Sequence, residues 1–536
     1  MHQSRLSFMR ILVRRVMRER WQISTGLIDL DDEGYGTFVY TVKASHGVFS
    51  LVIFSNYLST DERNDRVIAT KWDLTMALVE GEVDSVYLEK LRQNVPKQEA
   101  GRVDSRVFVL SRANRSTRNF DYVVNRLARG EQPEVEKITD VGYLYRTTAV
   151  YGSGKLGMAD WEKVKDNWPD FERPFSAEMF VCFMIRNFSL FQAEHIAQHK
   201  SPTTFKPMDL NIKRYFGIGN STGLGMAPYL VNHPVLINQW ITMRELGLAR
   251  VRTLGYIDRR VQRHFEELLT RCIQHTKETK TEDEWQTQNN EQVIKELSSL
   301  QGSSYQQVNN WDALMTWSED HCTLQTQELL VSVLLELYPE LVDDLEDHHC
   351  EEEFLDLDPI MPVQKLKEVI EQSYRWALDI DFTKQGAKET FWYRSEDKME
   401  PRLGNTEREQ GKSKQMALGV GYAVRKCYDQ LCLYVTQHPE HTTARFMVSA
   451  PKLRGIVRRI QSMNRCMYGD IQGNLLDRNV LPMHLLRAKL AFFGVSKFDP
   501  RSKLWVRNTM YQGAPLLEDI GGTFNDDWFM PLAPQL

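Results

Sequence analysis

The chain of 536 residues is too long for one ordinary hydrophobic core, and its length predicts two to four domains. Hydrophobic residues make up 42% and charged residues 26%, which is typical of globular rather than disordered or fibrous proteins. A formal net charge of −5 is nearly balanced, so bulk charge does not demand a polyanionic partner.

The seven cysteines are scattered and form no CxxC pair. This distribution argues against a disulfide framework or a cysteine zinc site and favours reduced thiols in the cytoplasm. No run of about eighteen uninterrupted apolar residues occurs, so no transmembrane segment is expected. The sequence identifies no cofactor and predicts no metal site.

The first twenty-one residues carry six arginines and one acid among apolar residues. Arginines interrupt the apolar run that a signal peptide needs, so residues 1–20 are predicted to form a basic amphipathic helix. We expect this helix to pack on the body of the protein or on a partner subunit. Docking on a membrane surface is the alternative.

Residues from Trp21 to about Leu58 are typical of β-structure. Strand residues at 36–43 and 48–54 flank the turn signal Ser45-His-Gly47, and this pattern predicts a β-hairpin. Residues 21–130 are therefore predicted to form a small α/β domain. Its further elements are expected to be helices at 66–92 and 120–127 and a strand at 107–110.

Beyond Pro174, apolar residues recur at three- and four-residue steps, which indicates a mainly helical domain over 131–536. The polar insertion 276–309 is either a long polar helix or a mobile connector, and residues 340–358, with ten acids and no lysine or arginine, are expected to be a solvated acidic loop. The predicted fold class is α+β: a small N-terminal α/β domain with a β-hairpin, followed by a large, predominantly helical body. Helices are predicted at 176–199, 234–274, 322–338, 362–378, 413–437 and 480–491.

Three glycine-bearing segments have the composition of phosphate-binding loops. The first, Gly34-Tyr-Gly36, lies where a protein kinase has its glycine-rich hairpin. The following strand has no lysine and no HRD sequence occurs, so an ordinary hairpin is the preferred interpretation. A degenerate kinase-like phosphotransferase is our third-ranked function.

The second segment, residues 149–156 (AVYGSGKL), departs from a P-loop at the first glycine and at the final hydroxyl. Arg146, Thr147, Ser153 and Lys155 nevertheless gather around two glycines, which favours an anion-binding turn. The alternative is a linking loop whose glycines relieve backbone strain.

The third segment, Gly217–Gly225, holds four glycines in nine residues, with Asn220, Ser221 and Thr222 between them. The spacing GxGxxxG, without a preceding apolar strand, argues against a dinucleotide-binding fold. Glycine-rich loops have a high entropic cost and often line ligand sites, so we predict a ligand-lining loop with Arg214 just upstream. A purely structural turn is the alternative.

His195 and His199 are spaced i, i+4 on one predicted helix, a spacing that can bind zinc. The glutamate of an HExxH motif is replaced by Ile196, so zinc is not expected. His195 is a candidate general acid or base, although ordinary hydrogen bonds at a helix end are the favoured interpretation. His348, His349 and Cys350 are interpreted as surface residues.

Residues 391–404 fit neither an amphipathic helix nor a clean strand. Arg394 and Arg402 offer planar guanidinium groups for a carboxylate or phosphate, and Glu396 and Glu400 are candidate acid–base groups. The alternative is a polar loop held together by its own ion pairs.

Residues 445–507 contain thirteen lysines or arginines and three aspartates. This basic region is a candidate surface for a polyanion, although no nucleic-acid-binding motif accompanies it. Internal pairing with the acidic segment 340–358 explains the charge equally well.

Together these residues favour a soluble, cytoplasmic enzyme that acts on a small anionic substrate. The substrate would be held by arginines and glycine-rich loops where the 146–155, 217–225 and 394–402 segments converge, with acid–base chemistry from Glu396, Glu400 or His195. We expect a homo-oligomer. The alternative is a non-enzymatic helical adaptor that binds a polyanion or a protein partner, with nucleic acid the less favoured ligand, through residues 445–507.

Overall fold

The computed structural model describes residues 4–62, 71–98, 104–147, 164–223, 234–301, 310–350, 357–379, 381, 392–395, 401–403, 413–415, 420–463, 482–502, 505–522 and 526–535. Its strands are β1 (Gln22–Leu30), β2 (Gly36–Lys43), β3 (Val48–Ser55), β4 (Leu74–Glu80), β5 (Val107–Arg115), β6 (Tyr143–Thr147), β7 (Gly217–Gly223), β8 (Trp392–Ser395), β9 (Pro401–Leu403), β10 (Ser413–Gln415), β11 (Val495–Ser502) and β12 (Trp505–Met510). Its helices are α1 (Phe8–Arg18), α2 (Ser85–Asn94), α3 (Phe120–Ala128), α4 (Val135–Val141), α5 (Ser176–Lys200), α6 (Leu210–Tyr215), α7 (Pro234–Arg252), α8 (Arg259–Glu278), α9 (Glu284–Ser299), α10 (Trp311–His321), α11 (Leu324–Leu337), α12 (Val363–Ser373), α13 (Arg375–Asp379), α14 (Val420–Gln437), α15 (Thr443–Ser449), α16 (Arg454–Ser462) and α17 (Pro482–Ala491).

The chain forms two compact units, each built from separate stretches of sequence. Unit 1 comprises Met1–Thr222, Gly247–Glu346 and Ala491–Leu536, and unit 2 comprises Gly223–Leu246 and Asp347–Leu490. The fold class is α+β as predicted, with an N-terminal sheet region and a mainly helical body. The sequence boundary expected near residue 130 lies inside unit 1, because later strands join the same sheet as β1 to β5.

A nine-stranded mixed sheet is the centre of unit 1. Its strand order is β1-β2-β3-β4-β5-β6-β7-β12-β11, so the C-terminal hairpin completes the side opposite β1. Strands β1 to β6 pair antiparallel with their neighbours, whereas β6 and β7 are parallel. Parallel neighbours need a long crossover connection, and here α5 and α6 supply it.

The predicted hairpin is confirmed residue by residue. Strand β2 pairs with β3 from Gly36 opposite Ser55 to Lys43 opposite Val48, with residues 44–47 as the turn. The helix predicted at 120–127 is also confirmed, as α3. Strand-forming residues and a local turn signal were sufficient for the hairpin, because its pairing involves only neighbouring residues.

The helix predicted at 66–92 is wrong over its middle part, where the chain forms strand β4. Helix α2 begins only at Ser85, after Asp84 accepts a hydrogen bond from the Tyr87 N–H. Strand β4 lies between β3 and β5, and residues 74 and 76–79 are fully buried. A strand that is buried on both faces is apolar at consecutive positions, so hydrophobic periodicity does not distinguish it from a buried helix.

Most helices of the later chain agree with the sequence pattern. The helices predicted at 176–199, 322–338, 362–378 and 480–491 correspond to α5, α11, α12 with α13, and α17. The helix predicted at 234–274 is divided into α7 and α8, and α8 begins where the Asp258 carboxylate accepts from the Arg260 N–H. The region predicted helical at 413–437 starts as strand β10 and becomes helical at Val420.

The polar insertion 276–309 was predicted to be either a long polar helix or a mobile connector. It contains helix α9, which agrees with the first of these. Asp283 caps this helix by accepting a hydrogen bond from the Gln286 N–H at 2.8 Å. Residues 302–309 lie outside the described part of the chain.

The long helix α5 fixes the sheet of unit 1. The ring of Phe188 on this helix contacts the ring of Phe38 on β2, with centroids 5.1 Å apart. Its buried Gln192 accepts a hydrogen bond from the Tyr145 hydroxyl at 2.8 Å and donates to the Gly34 carbonyl at 2.7 Å. Since buried polar groups are stable only when hydrogen-bonded, Gln192 holds α5 in one register against β6 and the β1–β2 turn.

Helix α1 packs on the body of its own unit, as expected, with Met9, Leu12 and Val16 almost completely buried. Arg10 is fully buried and pairs with Glu336 at 2.7 Å and with Asp526 at 3.2 Å. A buried charge is tolerated only with such partners, so Arg10 stabilises the interior of unit 1.

The acidic segment 340–358 is not simply a solvated loop. Asp343–Cys350 forms 3-10 turns, and Glu346 is only 1% exposed. Glu346 pairs with Arg14 at 3.1 Å and with Arg18 at 2.9 Å. The acidic segment therefore neutralises the basic N-terminal helix, an internal pairing that the sequence had suggested for residues 445–507 instead.

Unit 2 is built from helices around one core and a small sheet. Helices α12, α14 and α16 share a buried cluster that includes Leu366, Val424 and Val457. The small sheet has the strand order β10-β8-β9. Among the described residues of the chain, no helix is long and apolar enough to cross a membrane.

Candidate functional site

Residues of two predicted binding segments meet at the end of the parallel strands β6 and β7. The Arg146 Nη1 atom donates a hydrogen bond to Ser221 Oγ at 3.3 Å, and the Asn220 amide donates to the Thr147 carbonyl at 3.1 Å. Arg146, Thr147 and Asn220 are buried, whereas Ser221 is half-buried. We call these four residues the β6–β7 site.

The β6–β7 site lies at the carboxyl ends of both strands. Tyr143 is opposite Gly217 and Arg146 is opposite Gly219, so the two strands run in the same direction and end at the same edge of the sheet. In open sheets, ligands bind beyond the carboxyl ends of parallel strands, where the departing segments separate. The Thr147 hydroxyl also contacts Ser111 of β5 at 3.1 Å, which fixes it within the sheet.

The glycine segment expected to be a loop is strand β7 over residues 217–223. A Cβ atom at Gly219 would lie 2.5 Å from the Tyr143 ring, and one at Gly217 would lie 2.3 Å from the Met510 carbonyl oxygen. These two glycines therefore allow close packing with the neighbouring strands. The sequence suggested that these glycines belong to a ligand-binding loop, but close packing between strands is sufficient to explain them.

Arg186 of α5 holds the amino end of β7. Its fully buried guanidinium donates to the carbonyls of Phe216 at 2.6 Å, Pro515 at 2.8 Å and Ala514 at 2.9 Å. Burial lowers the pKa of Arg186 to about 9. The strand that carries Asn220 and Ser221 is thus anchored by charge-assisted hydrogen bonds to the helix behind it.

Arg214 lies away from the β6–β7 site, before the amino end of β7. It forms a two-pronged ion pair with Asp519, with distances of 2.9 and 3.2 Å. The hydrogen bonds that Arg214 donates to the Asp519 carboxylate raise the pKa of Arg214. This arginine therefore has an internal counter-ion and stabilises the junction of α6 with the C-terminal segment.

His195 and His199 lie at the end of α5, as expected. A ring nitrogen of His195 is 2.9 Å from the Asp31 carbonyl, and a ring nitrogen of His199 is 2.8 Å from the His195 carbonyl. These are the ordinary helix-end hydrogen bonds that the sequence favoured. His195 contacts the turn between β1 and β2, and β2 is four strands from β6, or roughly 19 Å across the sheet.

The 391–404 segment contains strands β8 and β9, although its sequence fits neither a helix nor a clean strand. Arg402 is opposite Tyr393, and Arg394 is opposite Pro401 and Lys414. This segment belongs to unit 2, whereas the β6–β7 site belongs to unit 1. The convergence of all three segments stays a prediction.

Several predicted site residues are described only in part or not at all. The side chains of Thr222, Arg394 and Arg402 are outside the described portion, although their backbones lie in strands. Four further residues lie wholly outside the described residues: Ser153, Lys155, Glu396 and Glu400.

The glycines of the first segment serve the turn between β1 and β2. Gly34 has a φ of +77° and Gly36 a φ of +135°, backbone conformations that other residues rarely adopt. A Cβ atom at Gly36 would also lie 2.1 Å from the Asp29 carbonyl oxygen. The turn itself thus requires both glycines.

The residues of the basic region 445–507 divide between the two units. In unit 1, Lys497 is buried and donates to the Thr139 carbonyl at 2.6 Å. Arg501 lies 2.7 Å from Asp499 and 3.4 Å from Asp140. These cations of β11 serve internal contacts rather than a polyanion.

The structure also contains a group of ligand types that the sequence did not single out. His438, Glu440 and His441 place possible ligand atoms within 4.8 Å of one another. One ring nitrogen of His441 is 2.9 Å from the Tyr434 hydroxyl, and the other is 3.0 Å from the Arg445 guanidinium. A metal ion at this cluster would have to displace Arg445, so the donor set fits a metal poorly.

A cleft of about 440 Å³ lies between α3 and α4, near the amino end of β6. Its charged residues are largely paired: Arg118 with Asp140 at 3.0 Å, and Lys137 with Glu134 at 3.1 Å. The cleft is thus at the opposite end of β6 from the β6–β7 site.

Comparisons of this chain with models of known protein families, with curated proteins and with solved structures find no match.

Proposed function

We propose that the protein is an enzyme that binds a small carboxylate- or phosphate-bearing substrate at the β6–β7 site. The observation that supports this most is the hydrogen bond between Arg146 and Ser221. Two segments that are far apart in sequence thereby present a guanidinium, a hydroxyl and an amide at one edge of the sheet.

The chemistry of these groups favours an anion. A guanidinium presents a planar fork that matches the two oxygens of a carboxylate or phosphate, and such charge-assisted bonds are stronger than neutral ones. Burial of Arg146 strengthens its electrostatic attraction, because the effective dielectric constant is lower inside the protein than in water.

Proton transfer is assigned from residue type alone to Glu396 or Glu400, which lie outside the described residues. His195, the other candidate, is engaged at the β1–β2 turn and is separated from β6 by several strands. The observed contacts of His195 therefore do not support a role at the β6–β7 site.

The competing adaptor function has weaker support. It needs an exposed basic surface over residues 445–507, yet Lys497 is buried and Arg501 is paired with acids. A homo-oligomeric state and a cytoplasmic location belong to the same proposal. Buried, unpaired thiols at Cys182, Cys272 and Cys427 are compatible with a reducing compartment.

Thermal unfolding with small anions tests the proposed function. Inorganic phosphate, citrate and acetate are each compared with chloride at equal ionic strength, and at least one is expected to raise the Tm of the wild-type protein. The variant Arg146→Lys keeps the charge but loses the planar fork, so it should lose most of that rise.

Arg214→Lys is the matched control, because Arg214 is ion-paired at the other end of β7. This variant should respond to the anion like the wild type. A wild-type Tm that no anion raises, or a rise that Arg146→Lys retains in full, contradicts the proposal.

A further inference from the structure

Strand β1 forms one edge of the nine-stranded sheet and pairs only with β2 among the described strands. None of its nine residues is buried, and seven of them are exposed. Its one charged residue is Asp29, and it has no lysine or proline, the residues that most often protect an edge strand from pairing with another chain. Residues 495–500 of β11, at the opposite edge, are buried. The sheet therefore has its open edge at β1.

The hydrogen bond that closes the β1–β2 turn shows which peptide groups of β1 face outward. The Asp31 N–H donates to the Tyr35 carbonyl at 2.8 Å, so Tyr35 faces β1. Alternate residues of an antiparallel strand bond to opposite neighbours, so the odd-numbered residues of β2 face β1 as well. Their register partners in β1 therefore bond to β2. Apart from the bulge residue Gly26, the residues that remain direct their N–H and C=O groups away from the sheet: Ile23, Thr25, Ile28 and Leu30.

These four outward residues place their side chains on the face of the sheet that α5 covers. Ile28 is opposite Phe38, whose ring contacts α5. The other three are opposite even-numbered residues of β2, which lie on the same face as Phe38. Ile28 is 49% exposed, and Ile23 and Leu30 are half-buried. The open edge thus carries an apolar stripe beside its outward-facing backbone groups.

The outward residues match a second copy of β1 in antiparallel orientation. When Ile23 is placed opposite Leu30 of the second copy, Thr25 falls opposite Ile28 of the second copy. Two-fold symmetry then generates the two reciprocal pairs. This register pairs all four outward residues, and the bulges at Gly26 of the two copies meet at the two-fold axis. The apolar stripes of the two copies become continuous across the interface.

The charges at the two ends of β1 favour the same orientation. Arg20 is exposed just before β1 and makes no ion pair with the described residues. Asp32 and Glu33 are exposed just after β1. Antiparallel pairing brings the end that carries Arg20 beside the end that carries Glu33 in the second copy, whereas parallel pairing would bring like charges together. Charge complementarity therefore selects a second copy in antiparallel orientation as the partner.

We infer that two copies of this chain pair antiparallel through β1, so that their sheets join edge to edge. This inference rests on the homo-oligomeric state in the proposed function and names its interface, but it does not involve the β6–β7 site. Because each copy has its open edge on one side, the pairing closes as a dimer rather than extending into a fibre. The outward N–H and C=O groups of each copy then bond to those of the other.

Sedimentation velocity of the full chain, over a range of protein concentrations and without added anion, tests the interface. The wild type is expected to approach twice the mass of one chain as the concentration rises. Ile28→Pro removes an outward N–H, and an edge strand accepts proline where its N–H faces solvent. Since two-fold symmetry makes each substitution act twice, this variant should weaken self-association by at least about tenfold. Its Tm should stay close to that of the wild type at concentrations where both are monomeric.

A charge exchange tests the antiparallel orientation independently. Arg20→Glu and Glu33→Arg each place like charges side by side, so each should weaken self-association. The double variant restores opposite charges and should associate like the wild type. Arg263→Glu is the matched control, because it makes the same change of charge at an exposed arginine of α8. It should associate like the wild type as well.

The outcomes separate this interface from the rest of the proposed function. A wild type that keeps the mass of one chain at every concentration refutes both the β1 interface and the homo-oligomeric state, and leaves anion binding at the β6–β7 site to its own test. An oligomer that neither Ile28→Pro nor the single charge reversals weaken refutes the β1 interface alone. A double variant that stays as weak as the single variants refutes the antiparallel register.

Discussion

Replacement of Arg10 by methionine tests whether α1 is anchored by its buried charges. Arg10 is fully buried, and its guanidinium contacts the Glu336 carboxylate, the Asp526 carboxylate and the Asp526 carbonyl. Methionine fills much of the same volume but removes these contacts. The substitution therefore isolates the electrostatic contribution of Arg10 from its packing.

The loss of stability expected for Arg10→Met depends on the ion pairs that Glu336 and Asp526 keep. Breaking a buried ion pair is destabilising by about 3–5 kcal/mol, because an uncompensated charge stays in the interior. Here Glu336 keeps Arg5 at 3.3 Å, and Asp526 keeps Arg14 at 3.1 Å. The remaining partners place the expected loss at the lower limit, about 3 kcal/mol.

Hydrogen exchange of the α1 backbone amides measures this loss locally, which avoids assuming that a chain of two units unfolds in one step. A loss of about 3 kcal/mol corresponds to a roughly hundredfold fall in protection. Arg18→Met is the control within the same helix, since the Arg18 side chain is 59% exposed and its ion pair with Glu346 lies at the surface end of the helix. Equal protection in both variants would refute the reasoning.

Three further predictions concern buried acids and one glycine. Burial by itself raises the pKa of Asp526, but the three neighbouring arginines of the N-terminal segment outweigh it and lower this pKa to about 2. The ionised Asp526 therefore stabilises the folded state by about 2.5 kcal/mol above pH 4, and this stabilisation is lost as the pH falls from about 4 to 2. In Asp526→Asn, the free energy of unfolding should depend less on pH in that window. Burial raises the pKa of Asp499 to about 6. Between about pH 4 and pH 6 the folded state therefore binds one proton more than the unfolded state, so the free energy of unfolding of the wild type should fall as the pH rises through this window. A series of denaturation curves in which Asp499→Asn shows the same pH dependence would contradict this. Gly219→Ala should lower the Tm and the anion response, because its methyl group would meet the Tyr143 ring, whereas Gly255→Ala, with open space around its Cβ, should change neither.

Local patterns were sufficient for elements whose partners are close in sequence. The hairpin of β2 and β3 needs only strand-forming residues and a four-residue turn, and the helices α3, α5 and α11 need only apolar residues at helical spacing. Strand β4 was missed because its burial on both faces arises from β3 and β5, and its continuous apolar run carries no distinctive period.

The candidate site shows the same division. The sequence singled out Arg146, Thr147, Asn220 and Ser221 from their residue types, but their proximity depends on the parallel pairing of β6 with β7 across some seventy residues of chain.

The order of strand-like and helix-like segments predicted the α+β class, and the distribution of charged residues determined the near-neutral net charge and the strongly basic and acidic segments. Only the tertiary structure decided that the basic N-terminal helix pairs with Glu336, Glu346 and Asp526. Opposite charges that nearly cancel in the sequence therefore form ion pairs in the interior of unit 1. The physical reason is that a local pattern specifies which face of an element is apolar or charged. Which partner that face meets depends on contacts between residues hundreds of positions apart, and the energy of a buried charge depends almost entirely on that partner.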